Sequence, residues 1–310
     1  MILCKLFKDV SQINRSRILY NHKAFGKNIL MNICYTNAMG GKMVNASKGE
    51  LLIIGGAEDK IGESLILKEA VGMVGKDDGR ISIVTTATNQ PEVAGAEYAK
   101  LFKKLGVGEI QVLNIDSRDV ANEKNTSKTL KNSTGIFFTG GDQLRLTSIL
   151  GGTSFHQALR EFYTSGGVII GTSAGASVMT NTMIVDGNSN DAARKCTLKM
   201  APGLGLLKEA IIDQHFAQRG RIGRLLCGVA ENPEMLGIGI DEDTAIKVLP
   251  NGSFRVYGTN SVTVIDGRTI KSSNVSELAP EEILCINNAT LHILPVGFGY
   301  DLVERKVIRF

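Results

Sequence analysis

The sequence contains no apolar run that reaches the roughly 20 residues needed to cross a bilayer, so its 43% hydrophobic and 21% charged residues read as those of a soluble globular chain. It has no CxxC pair and no Cys/His spacing of a zinc site. Its cysteines, Cys4, Cys34, Cys196, Cys227 and Cys285, are odd in number and far apart, which suits reduced thiols in a cytoplasmic protein better than a disulfide framework. Charge of one sign is not concentrated either. A formal charge of +4 is small for 310 residues, and the basic residues form no single long run, so charge gives no reason to expect nucleic acid. The apolar stretch after Met1 is interrupted by Lys5 and Lys8 and lacks a small-residue cleavage site, which excludes the shape of a secretory signal. No internal repeat or low-complexity tract is present. Histidine is scarce: His22, His156, His215 and His292 are the only candidates for a base.

What is there begins unevenly. The first 48 residues hold eight Lys or Arg against one acid, Asp9, and show none of the periodicity of the rest. Residues 1–47 are expected to be a dispensable basic arm, with Met31, Met39 and Met43 as later possible starts, and residues 48–310 a single α/β domain.

From Leu51 onward the pattern is regular. "LLIIGGAED" is a short continuous apolar run closed by two glycines, as suits a strand buried on both faces. A helical stretch follows over Ile61 to Val74, a strand in "RISIVTTAT", a helix from Pro91 to Leu105, and a strand in "IQVLNI". "GIFFTGGDQ", a helical region from Leu144 to Tyr163, and the strand of "GGVIIGTSAGASVM" complete the alternation. Such alternation predicts a mostly parallel sheet with helices on both faces, whose ligands sit at the carboxyl ends of the strands. After Leu225 the Asn-Gly, Gly-Thr-Asn and Asp-Gly turns predict a small antiparallel C-terminal extension integrated with the main sheet.

Gly171-Thr172-Ser173-Ala174-Gly175 fits the G-x-S-x-G turn between a buried strand and a helix, where small neighbours allow a strained elbow that lifts one hydroxyl above the sheet. Ser173 is thus the candidate nucleophile, against the plainer reading of a serine that caps a helix. The Ala174 N–H, at the helix start, is a candidate oxyanion donor. A serine needs a base, and His215 ends the apolar run of "EAIIDQHF", where a sheet delivers side chains to the same edge. His22 lies in the arm, His156 in a helical stretch and His292 in an apolar run, where structural roles suffice. For the acid that orients the imidazole, Glu242 in "GIGIDEDTA" is preferred and Asp191 in "DGNSNDAARK" is the alternative.

Gly140 and Gly141 of "FFTGGDQ" are either a plain turn or further N–H donors close to a substrate, with Gln143 a possible donor beside them. Arg219, Arg221 and Arg224 crowd the candidate base, and guanidinium groups hold carboxylates in bidentate fashion, so an acidic substrate is expected over a merely solvated helix face. "GGAEDK" from Gly55 lacks the Lys-Ser/Thr ending of a phosphate loop and reads as a strand-end turn in the active-site rim.

In this order, "LLIIGGAED", "FFTGGDQ", "IIGTSAGAS", "PGLGLL", "IIDQHFAQRGRIGRL" and "GIGIDEDTA" resemble the cyanophycinases, of the serine peptidase family that also includes peptidase E. The resemblance runs from about Gly49 to the C-terminus, and "DQHF" with its three arginines is the specific part. It implies a flavodoxin-like or class I glutamine amidotransferase-like fold, usually a homodimer, without cofactor or metal. It also implies hydrolysis of cyanophycin, a poly-aspartate bearing arginine on its β-carboxyls, to β-Asp-Arg dipeptides. By the same resemblance Ser173 is the nucleophile and His215 the base, and Gln143, Asp213, Gln214, Arg219, Arg221 and Arg224 are the substrate-binding positions. Neither nucleic acid nor a membrane is an expected partner. An aspartyl or isoaspartyl dipeptidase of short peptides and a non-catalytic polymer-binding protein are the alternatives.

Overall fold

A computed structural model describes residues 49–187, 192–195 and 198–310. Nine strands form the main sheet; its central strands are apolar runs buried on both faces, and its edge strands are largely exposed. In chain order the elements are β1 (Glu50–Ile54), α1 (Leu65–Val74), β2 (Arg80–Val84), α2 (Pro91–Lys104), β3 (Glu109–Leu113), α3 (Arg118–Asn122), α4 (Lys124–Asn132) and β4 (Gly135–Phe138). They continue as α5 (Gln143–Leu150), α6 (Ser154–Thr164), β5 (Val168–Thr172), α7 (Ala174–Ser177), β6 (Thr182–Gly187), β7 (Leu198–Pro202), β8 (Ala210–Asp213), α8 (Ile222–Glu231), β9 (Leu236–Ile240), β10 (Thr244–Val248) and β11 (Ser253–Gly258). Six strands close the chain: β12 (Val262–Asp266), the short pair β13 (Ser272–Ser273) and β14 (Ile286–Asn287), β15 (Thr290–Leu294), β16 (Phe298–Asp301) and β17 (Lys306–Arg309).

The main sheet runs β17-β16-β11-β10-β1-β5-β4-β2-β3. Its half from β1 to β3 is parallel, and its half from β10 to β17 is antiparallel. Successive residues of β1 go to opposite faces, as the strand period of two requires. Leu52 and Ile54 pack with α1 and α2 residues such as Leu67 and Phe102, while Leu51 and Ile53 join α5 and α6 residues such as Leu146 and Phe155. Helices therefore cover both faces, as the alternation predicted. No helix among the described residues is long and apolar enough to cross a membrane.

Three expectations shift in detail. Helix α1 begins at Leu65 rather than Ile61, because the Asp59 carboxylate takes the N–H groups of Ile61, Gly62 and Ser64 and holds that stretch as a loop. The region from Leu144 to Tyr163 is two helices, α5 and α6, broken at Gly151-Gly152, with Thr153 capping the second. The C-terminal antiparallel segment divides: β10, β11, β16 and β17 extend the main sheet, whereas β12 and β15 join β9 and β8 in a second sheet of order β15-β12-β9-β8. Turn residues mark where a strand ends but not which edge the next strand joins. Here the corner at Asp241-Glu242-Asp243, with Asp243 at φ 46°, carries the chain from one sheet to the other.

Candidate active site

Ser173 follows β5, the strand between β1 and β4, and its own N–H donates to Ile54 O at 3.0 Å. Its φ of 54° and ψ of −112° are rare for a residue with a Cβ. The surrounding glycines explain how such a turn fits. A Cβ on Gly171 would lie 2.3 Å from Gly175 O, and one on Gly175 would lie 2.5 Å from Phe138 O. The elbow thus needs small residues on both sides because α7 starts directly against β4 and β5.

His215 arrives from β8, which belongs to the second sheet and not to the main one as expected. It is held at φ 47°, and its N–H donates to Gly55 O at 2.8 Å, so the two sheets meet at the base. Its Nε2 lies 3.0 Å from Ser173 Oγ, and its Nδ1 lies 2.6 Å from Glu242 Oε1. With Nδ1 protonated and donating to the carboxylate, Nε2 is an acceptor aimed at the hydroxyl. Glu242 sits in the β9–β10 corner, where its N–H donates to Gln218 Oε1 at 3.0 Å and its carbonyl accepts from Asn260 Nδ2 at 2.8 Å. Asp191 lies outside the described residues.

Burial, first among the influences, holds the His215 imidazole below its ordinary 6.5; the Glu242 hydrogen bond opposes this, and the charges of Arg219 and Arg221 reinforce it. The ring is thus neutral, as a base must be, near pH 7. The acid limb of kcat/KM is expected below the ordinary histidine range. Arg219→Gln, which removes one downward influence, is expected to move that limb to higher pH in a pH–rate profile. A limb that stays in place or moves down would contradict this.

Gly56 packs against the base: its φ is 101°, and a Cβ there would lie 2.4 Å from His215 Cε1. Gly56→Ala is expected to lower kcat about 100-fold by displacing the imidazole. Steady-state kinetics showing kcat within about twofold of the parent would overturn this reading of the contact.

The Gly140-Gly141 turn borders the elbow. A Cβ on Gly140 would lie 3.4 Å from Ser173 Cβ, and one on Gly141, at φ 143°, only 2.2 Å from Ala87 O. Among the described residues no hydrogen bond takes the N–H of Gly140 or Gly141, and the Ala174 N–H, at the first position of α7, has no intrahelical acceptor. Gln143 instead ties α5 to β6, with its Nε2 donating to Ile184 O and Val185 O at 3.2 and 2.6 Å.

Asp213, Gln214, Arg221 and Arg224 form one buried network. Arg224 Nε donates to Asp213 Oδ2 at 2.6 Å and its Nη2 to Asp213 Oδ1, while Arg221 Nη1 lies 3.5 Å from Oδ1 and donates to the carbonyl and to Oε1 of Gln214. Two guanidinium groups face one carboxylate, so the network carries an excess positive charge. Burial is the main cause pushing Arg221 down to about 10, against the opposing pull of Asp213, and its Nε is buried without a partner. Arg219 is different: its side chain is exposed and makes no hydrogen bond or ion pair among the described residues, while its backbone N–H donates to His215 O at 3.1 Å. That bond sets Arg219 one helical turn beyond His215, as the spacing implies, whereas Gly220, at φ 59°, separates the turn at 217–219 from α8 and so from Arg221 and Arg224. Reading the sequence missed Gln218 and Asn260, which hold the Glu242 backbone, and gave Gly56 no more than a place in the rim. The Gly-Thr-Asn sequence that carries Asn260 signals a hairpin turn and gives no sign of this contact. Among the described residues no group of three or more His, Cys, Asp or Glu is placed to hold a metal ion.

A serine hydroxyl, an imidazole and a carboxylate in one hydrogen-bonded line at a strand–helix turn are the arrangement of a serine hydrolase. The chain belongs to peptidase family S51, whose family model matches residues 51–255, and it is a serine-type peptidase. It is 38% identical over 264 residues to a cyanophycinase of a Nostoc species, covering 85% of this chain and 89% of that one. It is also 38% identical over 255 residues to a cyanophycinase of Geminocystis herdmanii, covering 82% of this chain and 94% of that one. Among solved structures, a peptidase from an acI-B1 Actinobacterium matches with a TM-score of 0.58 at 22% identity, over 84% of this chain and 97% of that one, which is a likeness of fold.

Proposed function

We propose that this chain hydrolyses cyanophycin to β-Asp-Arg dipeptides through an acyl-enzyme on Ser173. The observation that carries the reading is the Ser173–His215–Glu242 line, at 3.0 and 2.6 Å, beside a cluster of three arginines. Cyanophycinase relatives at 38% identity supply the substrate class.

His215 Nε2 takes the Ser173 proton as Oγ attacks a backbone aspartyl carbonyl, and Glu242 stabilises the imidazolium that forms. The N–H groups of Ala174, Gly140 and Gly141 donate to the oxyanion. His215 then returns the proton to the departing amine, and a water activated by the same ring releases the dipeptide. Arg219 meets a substrate carboxylate directly. Asp213 and Gln214 act by holding Arg221 and Arg224 as a net-cationic wall, and Gln143 shapes the neighbouring rim. Asp142, whose Oδ1 caps α5 through the N–H groups of Leu144 and Arg145, is the acidic group available for the substrate guanidinium.

The enzyme acts as a cytoplasmic homodimer, without nucleic acid, and residues 48–310 suffice for activity, in keeping with a family match that starts at residue 51. The test is competition between polymer and short substrates. Cleavage of cyanophycin with a kcat/KM well above that for aspartyl or isoaspartyl dipeptides is expected. The reverse preference would point to a dipeptidase.

A further inference from the structure

Glu58 is a carboxylate that the chemistry above does not use, yet it is only 4% exposed and lies four residues beyond the end of β1. Its Oε2 accepts from Thr172 Oγ1 at 2.6 Å, and its Oε1 accepts from Tyr98 OH at 2.5 Å. Neither donor is a cation, and no Lys, Arg or His pairs with it among the described residues. Burying a carboxylate this way is costly unless short hydrogen bonds to both oxygens replace water. Burial first, and then Glu58 itself, push the Tyr98 hydroxyl far above its ordinary range, which keeps it protonated as a donor.

The carboxylate grips the residue that immediately precedes Ser173. A non-glycine residue at φ 54° persists only where its surroundings over-determine it. The same short loop holds the other two members of the line. Ile54 O takes the Ser173 N–H, Gly55 O takes the His215 N–H, and Gly56 O takes the N–H of Asp243, next to Glu242. The Asp59 N–H donates back to Asp243 Oδ1 at 2.9 Å. Residues 54–59 thus touch the chain beside nucleophile, base and acid, and among the described residues Glu58 is the only side chain of the loop with a hydrogen bond to the elbow.

We infer that Glu58 is a positioning residue: through its hydrogen bond to Thr172 Oγ1, anchored on Tyr98, it fixes the elbow so that Ser173 Oγ faces His215 Nε2. This rests on the serine-nucleophile reading. Ground-state substrate binding, which falls to the arginines, is left to other groups, so kcat and not KM carries the effect.

The experiment measures kcat, KM and the rate of covalent labelling by a fluorophosphonate in the parent, Glu58→Gln, Thr172→Val and Thr172→Ser. Labelling reads serine reactivity without polymer binding. Glu58→Gln and Thr172→Val are each expected to lower both kcat and the labelling rate about 10- to 100-fold, with KM within about threefold. Thr172→Ser, which keeps the hydroxyl, is expected to restore most of the rate. The Glu58→Gln/Thr172→Val pair should lose little more than the worse single variant, because both break one contact. Should Glu58→Gln fail to fold, Thr172→Val and Thr172→Ser decide alone. A labelled parent whose Thr172→Val variant keeps kcat and labelling within about twofold would overturn the role of Glu58 and leave the serine reading intact. A parent that is not labelled would overturn both.

Discussion

Glu242→Gln is expected to lower kcat by about four powers of ten, the scale found when the acid of a serine triad becomes an amide. The cause is the proton on Nδ1. Glu242 Oε1 accepts from His215 Nδ1 at 2.6 Å, and that bond selects the tautomer whose Nε2 takes a proton from Ser173. An amide in its place donates as readily as it accepts and leaves the developing imidazolium uncompensated. The variant should fold normally, because Glu242 is held by backbone contacts to Gln218 and Asn260 that an amide side chain does not disturb. Asp191→Asn, the control, is expected to retain kcat within about threefold. Steady-state kinetics on the two variants decide the matter: a large loss in Asp191→Asn with a small one in Glu242→Gln would reverse the assignment.

Asp213→Asn is expected to cost about 3–5 kcal/mol of stability, since it breaks a buried ion pair and leaves two guanidinium groups facing each other. Arg224 and Asp213 are both almost fully buried, at 6% and 1% exposure, so water does not screen the repulsion that remains. For a domain of this size the loss corresponds to a fall in Tm of roughly 10 °C by thermal unfolding. Activity should fall with it, because Arg221 and Arg224 lose the partner that fixes them. Arg219→Gln serves as the contrast: its side chain is exposed and unpaired, and its effect on stability is expected within about 0.5 kcal/mol. Equal Tm values for Asp213→Asn and the parent would show that the network is not the anchor described here.

How far the sequence foretold this arrangement varies from residue to residue. The parallel half of the main sheet was legible because β1, β4 and β5 hold continuous apolar runs and β2 is apolar but for Arg80 and Ser82, each closed by glycine or threonine, a pattern that burial on both faces favours. The elbow was legible for a related reason: few other structures need glycine on both sides of a serine between strand and helix. The destination of β12 and β15 was not, since β-branched segments divided by Asn-Gly and Asp-Gly announce strands without naming partners. His215 does follow an apolar strand, yet that strand lies in the second sheet and not in the main parallel one that the alternation implies.

The arginine cluster shows the limit most clearly. Spacing identified Arg219, Arg221 and Arg224 as a group but did not show that two of them turn inward to one carboxylate while the third stays in solvent. That division depends on Gly220, whose left-handed turn separates Arg219 from the start of α8. Glu58 gave no signal at all, because a carboxylate after a glycine pair looks like ordinary loop polarity. Its significance appears only when Thr172 and Tyr98, 114 and 40 residues away, are brought against it.

The most direct test of the central claim is to incubate the purified protein and its Ser173→Ala variant with insoluble cyanophycin, follow clearing of the suspension, and identify soluble products by mass spectrometry. Clearing to β-Asp-Arg by the parent, with none by Ser173→Ala, is the predicted result. Equal clearing by both would contradict the serine mechanism, and no clearing by either would contradict the substrate.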